Sequence, residues 1–244
     1  MAIFGNHTLA SAFKRLVDLL RGFGVVNTLS VCVWTLDDQH LRSFDRRYGV
    51  RTSGYVSLAS TSVDRAKLRH ATSYGPVNAW AFRRLLRNLS LPRTLHFADL
   101  GCGLGRACIL AAEYGFEKVT GVELAPELCA VARENMSCCR LPESYRSRIK
   151  IVEGDVLDYC AATDDDVFFV YRAFSVEFFR RVLTKLAEGA TRRSRPLTII
   201  YTERLSWPPS DGVKVFSEDQ TFRKVDERSM FGQAFHVYGC GAKS

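Results

Sequence analysis

The chain has 244 residues, enough for one globular domain with a large core and an additional segment. Its 47% hydrophobic and 25% charged residues are ordinary for a folded domain, which excludes a fibrous or low-complexity chain. The net charge is +8, but the arginines and lysines are scattered rather than interleaved with aromatics in a stripe, so the sequence does not favour a nucleic-acid partner.

Residues 1–73 are expected to form an N-terminal extension of helices and irregular segments that acts as a cap or lid. Residues 8–22 have the apolar spacing of an amphipathic helix. The apolar stretch over 23–36 is shorter than the roughly 20 residues that a bilayer-spanning helix needs. A membrane anchor is therefore not favoured. Residues 37–73 turn polar and predict an irregular segment with one or two short helices.

Eight cysteines do not make a disulfide framework or a zinc site. Cys102, Cys108 and Cys129 fall within predicted core elements, and no C-x-x-C pair occurs in the chain. No metal site is predicted. Reduced thiols favour a cytoplasmic protein, whose oligomeric state the sequence leaves open.

A Tyr-Gly-Pro sequence, Tyr74 to Pro76, precedes a helix that is expected to open near Val77. Tyr74 could pack over a bound ligand, or it could serve as a hydrophobic staple at the helix start. The sequence leaves both alternatives open.

The central motif follows this helix. A predicted strand over 95–100 runs directly into DLGCGLGR, which places glycine at three alternate positions. Helical spacing then begins at Ala107 and stops at Gly115, and a second strand over 118–122 ends at Glu123. Strand, glycine loop, helix and strand make the first half of a nucleotide-binding βαβ unit.

The residues around the glycine loop indicate which nucleotide would bind. A dinucleotide fold uses G-x-G-x-x-G, whereas this chain has G-x-G-x-G with Asp99 two residues ahead of Gly101. A carboxylate there would repel a pyrophosphate but attract the α-ammonium of S-adenosylmethionine. Glu123 could accept hydrogen bonds from ribose hydroxyls in either cofactor class. S-adenosylmethionine is favoured, with NAD and a purely structural glycine turn as alternatives; a Walker-type phosphate loop is excluded.

DLGCGLGR followed by GVELAPELCAVARENM resembles the first motifs of class I, seven-strand S-adenosylmethionine-dependent methyltransferases. The similarity covers residues 74–171. It implies an α/β fold of three layers: a Rossmann-like, seven-stranded, mostly parallel sheet with an antiparallel last strand, formed by residues 74–244. The resemblance implies these cofactor-binding residues: Tyr74, Asp99, Gly101, Gly103, Glu123, Leu124, Asp155, Val156 and Tyr171.

The remaining strands are predicted over 148–153, 167–171, 196–201, 222–225 and 234–238, with helices from Pro126 and over 176–186. In the family, an acidic residue after the third strand, here Asp155, accepts a hydrogen bond from the adenine amino group. Asp155 could instead cap a turn. Residues 164–166, three consecutive aspartates, are expected to form a solvated loop.

The loop after the fourth strand, VYRAFS, is expected to bring Tyr171 and Phe174 to the methyl group as positioning residues. It lacks the Asn-Pro-Pro-Tyr pattern of enzymes that methylate adenine or glutamine nitrogens, which disfavours those acceptors. It is distantly similar to the seven-strand protein-lysine methyltransferases. Arg172 departs from their asparagine, so it either turns toward a carboxylate, such as Asp155 or Glu177, or binds an anionic group of the acceptor.

We therefore expect an S-adenosylmethionine-dependent methyltransferase with an unidentified acceptor. A protein lysine is the first hypothesis, by analogy alone. A small-molecule O- or N-methyltransferase and a cofactor-binding protein without transfer activity are the alternatives. Methyl transfer needs alignment more than a nucleophilic side chain. Of the histidines considered as a base, His70 is favoured over His96 and His236.

Overall fold

The structure, a computed structural model, describes residues 41–193, 195–204, 211–218 and 221–241. The helix expected over 8–22 and the apolar stretch over 23–36 lie outside these residues. The described chain begins with helix α1, over 41–48, and a 3-10 turn at Leu58–Ser60. The other helices are α2 (Arg65–Leu68), α3 (Ala79–Leu89), α4 (Arg106–Tyr114), α5 (Pro126–Cys138), α6 (Glu143–Arg146), α7 (Val156–Ala162), α8 (Val176–Arg193) and α9 (Gly212–Glu218).

Seven strands form one mixed sheet. They are β1 (His96–Leu100), β2 (Lys118–Glu123), β3 (Ile149–Glu153), β4 (Val167–Tyr171), β5 (Leu197–Arg204), β6 (Arg223–Met230) and β7 (Gln233–Cys240). The order is β3-β2-β1-β4-β5-β7-β6, and β7 runs antiparallel to both β5 and β6. The predicted Rossmann-like sheet with an antiparallel last strand is confirmed. The order reverses between β1 and β4, so a crevice opens at the carboxyl ends of these strands.

Alternate residues of the central strands face opposite layers, as the strand period of two requires. Phe97 and Phe169 pack beneath α3 and α4 on one face of the sheet. Ala98 and Phe168 pack beneath α7, α8 and α9 on the other face. The central strands are therefore apolar on both sides, as expected for parallel strands covered by helices.

The segment before α3 packs on the same core as the domain. Phe44, Tyr48 and Val50 are buried with residues of α3 and α4. The Tyr48 hydroxyl donates a hydrogen bond to the carboxylate of Glu113, which Arg83 Nε also contacts at 2.6 Å. The division at 73/74 stays a prediction, and the described part of the extension lies against the methyltransferase-like sheet and helices rather than apart from them.

The three aspartates at 164–166 correct one prediction. Asp164 is exposed, but Asp165 and Asp166 are buried. Asp165 accepts from Thr163 Oγ1 at 2.6 Å, and Asp166 accepts from the backbone N–H of His96 at 3.0 Å. A solvated loop was the wrong expectation for these two, because both carboxylates join backbone and side-chain donors at the amino-terminal edge of the sheet.

The described cysteines are free thiols, so no disulfide joins any pair of them. Within the described residues, no helix combines the length and apolar character that crossing a bilayer requires. The cytoplasmic location stays a prediction.

Candidate active site

The glycine loop after β1 is shaped by backbone conformations that L side chains rarely adopt. Gly101, Gly103 and Gly105 have φ angles of 84°, 52° and 85°. A Cβ at Gly103 would lie 2.0 Å from the Tyr74 ring, and one at Gly101 would lie 2.8 Å from the Ala173 side chain. Glycine is required here both for the left-handed backbone and for the close approach of neighbouring side chains.

Glu123, at the end of β2, holds this loop in place. Its carboxylate accepts hydrogen bonds from the backbone N–H groups of Gly103 at 2.9 Å, Leu124 at 2.8 Å and Ala125 at 3.0 Å. Burial raises the pKa of Glu123, although the three N–H donors act in the opposite direction. A carboxylate offers about four acceptor sites. Glu123 thus organises the loop and keeps acceptor capacity toward the cavity that it lines.

Asp99 is a buried carboxylate with no cationic partner among the described residues. It is 3% exposed, and Cys108 Sγ donates a weak hydrogen bond to it at 3.8 Å. Burial, followed by the nearby charge of Glu123, raises the pKa of Asp99 to about 8. An acid with such a pKa is protonated at neutral pH and becomes an anion when a ligand brings a positive charge to it. The Asp99 side chain is therefore suited to bind a cationic group of a ligand.

One cavity of about 240 Å³ gathers the predicted residues at the carboxyl ends of β1, β2 and β4 and the turn after β3. All ten side chains or glycines predicted for the site line it: Tyr74, Asp99, Gly101, Gly103, Glu123, Leu124, Asp155, Val156, Tyr171 and Phe174. These residues are 100 positions apart at the extremes, so the fold rather than the sequence brings them together.

Residues 66–77, here called the N-terminal wall, close one side of the cavity. The wall is hydrogen bonded to the loop after β4: Thr72 N donates to the Ala173 carbonyl at 3.0 Å, and Ser175 N donates to the His70 carbonyl at 2.9 Å. From this wall, sequence reasoning predicted Tyr74 as a cofactor-binding residue and favoured His70 among the histidines considered as a base. No contiguous motif marks the other wall residues, because their partners lie about a hundred residues further along the chain.

Tyr74 is the link between the wall and the glycine loop. Its ring lies against Gly103, and its hydroxyl donates to the Thr52 carbonyl at 2.7 Å. Burial raises the pKa of this phenol far above its usual range. The side chain lines the cavity, whereas a staple role at the start of α3 stays a prediction.

Arg106, which the sequence analysis passed over, fastens the segment before the wall to α4. It is 1% exposed. Its Nε donates to Thr52 Oγ1 at 2.8 Å, its Nη2 contacts Asp45 Oδ1 at 3.2 Å, and its guanidinium lies 4.5 Å from the centre of the Phe44 ring. The sequence feature that could have indicated Arg106 is its place at the end of DLGCGLGR, where a charged residue stands at a position that the helix must bury.

Besides lining the cavity, Asp155 caps the amino-terminal end of α7. Its Oδ1 accepts from Leu157 N at 2.9 Å as the N-cap of α7, and Lys67 Nζ lies 3.9 Å from its Oδ2. The cap that the sequence offered as an alternative is present. Because only one carboxylate oxygen makes the cap, the other faces Lys67 and the cavity end of the wall.

Tyr171 and Phe174 lie at the opposite end of the cavity from Asp155, with Asp99 and Gly101 between them in the strand order. Burial raises the pKa of Tyr171 well above its usual range. Phe174 packs on Phe178 of α8, with ring centroids 5.2 Å apart. Arg172 has a φ of 42°, its carbonyl accepts from Thr72 Oγ1 at 2.6 Å, and it is not among the residues that line the cavity.

Comparison with known proteins agrees with this geometry. Residues 97–196 match a family model described as a methyltransferase domain. The resemblance to the class I S-adenosylmethionine-dependent methyltransferases is confirmed. The predicted enzyme class and the predicted methyl donor, S-adenosylmethionine, are confirmed.

Solved structures resemble this methyltransferase in fold at low sequence identity. A ribosomal protein L11 methylase from Lactobacillus delbrueckii subsp. bulgaricus has a TM-score of 0.51 and 16% identity, over 70% of this chain and 82% of that chain. Magnesium protoporphyrin IX methyltransferase from Synechocystis PCC 6803, with bound SAM, has a TM-score of 0.52 and 14% identity, over 67% and 78%. No curated protein sequence matches the chain.

Proposed function

We propose that this methyltransferase binds S-adenosylmethionine in the cavity and transfers its methyl group to an oxygen or nitrogen of a small molecule. The observation that carries the proposal is the buried carboxylate of Asp99, which has no cationic partner in the described chain and faces a loop that only glycines can form. A positively charged amino-acid head would stabilise the anionic form of Asp99, whereas a diphosphate brings no positive charge that could do so.

The residues present fit the cofactor from end to end. Asp99 would hold the α-ammonium, and the glycine loop would let the backbone approach the methionine portion. Glu123 would use its remaining acceptor capacity for the ribose hydroxyls, beside Leu124. Asp155 and Val156 would take the adenine, since the Asp155 oxygen that does not cap α7 is free of backbone donors.

The cofactor supplies an activated methyl group on a sulfonium, so the protein has to orient the acceptor and exclude water. Tyr171 and Phe174 would form the apolar surface against which the acceptor is aligned. The hydrogen bonds between the N-terminal wall and the loop after β4 would keep this end of the cavity closed to solvent. This arrangement supports a role as a cap for the described part of the extension, residues 41–73.

A small molecule is a better acceptor for this cavity than a protein lysine. Arg181 lines the end of the cavity near Tyr171 and Phe174, and its guanidinium would repel an incoming lysine ammonium. Enclosure by the N-terminal wall also favours a ligand that can enter the cavity whole. The resemblance to seven-strand lysine methyltransferases rests on Phe174 alone at this loop, because Arg172 replaces their asparagine.

A methyl-transfer assay separates the acceptor classes. The purified enzyme is incubated with radiolabelled S-adenosylmethionine and cell lysate, and label is counted in the protein precipitate and in the small-molecule supernatant; lysate without enzyme gives the background. Label in the supernatant is expected. Label in a protein band would restore the lysine hypothesis, and cofactor binding without any transfer would indicate a binding protein.

A further inference from the structure

One end of the cavity contains a cluster of side chains that the cofactor does not require. His70, Phe174, Phe178 and Arg181 line it next to Tyr171, at the end away from Asp155. Two come from the N-terminal wall and the loop after β4, and two from consecutive turns of α8. A cluster with an imidazole, two aromatic rings and a guanidinium has the chemistry of an acceptor site rather than of a cofactor site.

His70 is held by one of its two ring nitrogens. Nδ1 lies 3.1 Å from Ser175 Oγ, and the ring stacks on Phe178 with centroids 5.8 Å apart and an angle of 23° between planes. Ser175 Oγ has two acceptor lone pairs, one of which faces Phe178 N at 3.4 Å. When Nδ1–H donates to the other lone pair, the basic lone pair of the imidazole lies on Nε2.

Arg181 brings a positive charge to the same end. Its guanidinium carbon lies 5.7 Å from the centre of the Phe178 ring, and no carboxylate of the described chain forms an ion pair with it. The preceding residue, Arg180, instead pairs with Glu218 and lies outside the cavity lining. Of these two neighbouring arginines, Arg181 is the one positioned to bind an anion that enters the cavity.

The two aromatic rings give the site its shape. Phe174 and Phe178 are tilted by 43° to each other, and the His70 ring lies nearly parallel to Phe178. Flat aromatic surfaces pack well against planar ligands. A planar acceptor lying on Phe174 would have the His70 imidazole and the Arg181 guanidinium, both packed against Phe178, close to it.

We propose that this cluster binds a planar, acid-bearing acceptor with a hydroxyl or amino group, that Arg181 pairs with its acid group, and that His70 Nε2 accepts the proton released on methylation. The acceptor oxygen or nitrogen forms a bond to the methyl carbon while the carbon–sulfur bond breaks. The bonding pair goes to sulfur, which becomes a neutral thioether, and the acceptor proton goes to His70.

The inference rests on the proposed function, because the cluster is an acceptor site only if the cofactor occupies the rest of the cavity. It goes further in naming the acceptor class. Failure of this inference can be told apart from failure of the proposed function. If the enzyme binds S-adenosylmethionine but methylates charged and uncharged acceptors equally well, the proposed function stands and the inference is wrong.

The charge requirement is tested with the 2-, 3- and 4-hydroxybenzoates and their methyl esters, which share the ring and hydroxyl but lack the acid. Methyl transfer is followed with labelled cofactor at saturation. At least one acid is expected to be methylated with a KM about tenfold or more below that of its ester, as for a charge-assisted contact. Equal constants for acid and ester, or no transfer to any acid, would overturn the proposal.

Two variants assign the charge effect to one arginine. Arg181→Met keeps the length of the side chain and is expected to raise the KM of the acid to that of the ester, with the dissociation constant of S-adenosylmethionine within about twofold. Arg180→Met is the matched control and should leave both constants unchanged. If both variants weaken the acid equally, the effect is one of overall surface charge, and the Arg181 assignment fails.

The role of His70 is tested with His70→Gln, because glutamine can still hydrogen bond to Ser175 but cannot take up a proton. We expect kcat to fall about a hundredfold, with cofactor affinity unchanged, and the acid limb of the kcat–pH profile to disappear. Saturating cofactor is used so that titration of other groups in the cavity does not lower the rate through weaker cofactor binding. These other titratable groups are Lys67, Asp99, Glu123, Asp155, Tyr74, Tyr171, Cys102, Arg106 and Arg181. His96→Gln, outside the cavity, is the control; an unchanged kcat in His70→Gln would exclude a base there.

Discussion

Two halves of the cavity meet at Tyr171, and they differ in how the chain supplies their residues. The proposed cofactor half consists of residues 99–105, 123–124 and 155–156, which follow successive strands and lie in short motifs. The proposed acceptor half consists of His70, Phe174, Phe178 and Arg181, drawn from the N-terminal wall and α8. The first half is fixed by backbone conformation, and the second by side-chain contacts across about a hundred residues. The two halves should therefore respond differently to substitution.

The largest expected effect is on the attachment between the segment before the wall and the cofactor half. Arg106→Ala removes a buried guanidinium that contacts Thr52 and Asp45, and leaves the Asp45 carboxylate without it. Loss of one partner of a buried pair costs about 3–5 kcal/mol in the free energy of unfolding. Arg133→Ala, which breaks an exposed pair with Glu153, should cost less than about 1 kcal/mol. Urea denaturation followed by circular dichroism measures both, and a loss for Arg106→Ala no larger than for the control would contradict the account.

The next largest effect should be found in the glycine loop. Gly103→Ala places a methyl group 2.0 Å from Tyr74 in a backbone with φ of 52°. The strain should lower the free energy of unfolding by about 1–3 kcal/mol. Cofactor affinity should also fall about tenfold or more as the loop shifts. Gly154→Ala is the control, because a Cβ there meets no atom within 4 Å. Calorimetric titration with S-adenosylhomocysteine gives the affinities; equal values for the two variants would show that the loop is not tightly fitted.

An intermediate effect is expected for the acceptor half. Phe174→Ala removes a ring that packs on Phe178 at the far end of the cavity, so kcat should fall about tenfold while cofactor affinity stays within about threefold. Phe231→Ala, at an exposed phenylalanine outside the cavity lining, should change neither value. Steady-state kinetics and calorimetry separate the two quantities. A joint loss of cofactor binding would mean that the halves are not independent.

The smallest effect separates the two roles of Asp155. Asp155→Ser keeps a good N-cap for α7, so the free energy of unfolding should change by less than about 0.5 kcal/mol. The carboxylate proposed to accept from adenine is lost, and cofactor affinity should fall about threefold to tenfold. Asp158→Ser, at an exposed position of the same helix, is the control. If Asp155→Ser binds the cofactor as tightly as the wild type, the cap is the whole role of this residue.

The same contrast explains what could be predicted from the sequence. Asp99, Gly101, Gly103 and Glu123 lie in contiguous motifs, because a strand, a tight loop and a helix impose fixed spacing on the residues that share one edge. The sheet itself followed from apolar runs at the expected intervals. Every strand was anticipated, and the largest error in a strand boundary was at β6, which was predicted to end at Val225 but ends at Met230.

The acceptor half could be predicted only in part: the sequence indicated Phe174 and favoured His70 as a base, but it did not indicate Phe178 or Arg181. The contact between His70 and Ser175 joins residues 105 positions apart, and no local pattern indicates it. Arg181 and Arg180 are indistinguishable in sequence, and only the position of α8 decides which one lines the cavity. Three adjacent aspartates suggested solvent, but tertiary donors bury Asp165. Local sequence patterns predict local geometry. Which side chains from distant segments lie close together can be seen only once the fold is known.

The central claim is that the Asp99 carboxylate selects a cationic amino-acid head. Because its pKa in the free protein is raised to about 8, the ligand must displace a proton at neutral pH, and affinity should rise as the pH approaches 8 from below. By the same linkage, a folded-state pKa above the unfolded value means that stability of the ligand-free protein is lost as the pH rises from about 4 through about 8. Asp99→Asn should remove this contribution to both dependences.

Calorimetric titration of S-adenosylmethionine from pH 6 to 8, with wild type, Asp99→Asn and the exposed control Asp158→Asn, tests this claim most directly. The wild type and the control should bind more tightly as the pH rises, while Asp99→Asn should bind at least about a hundredfold more weakly at pH 8 and with little pH dependence. Binding by Asp99→Asn as tight as that of the wild type, or binding of NADH in place of S-adenosylmethionine by the wild type, would contradict the account.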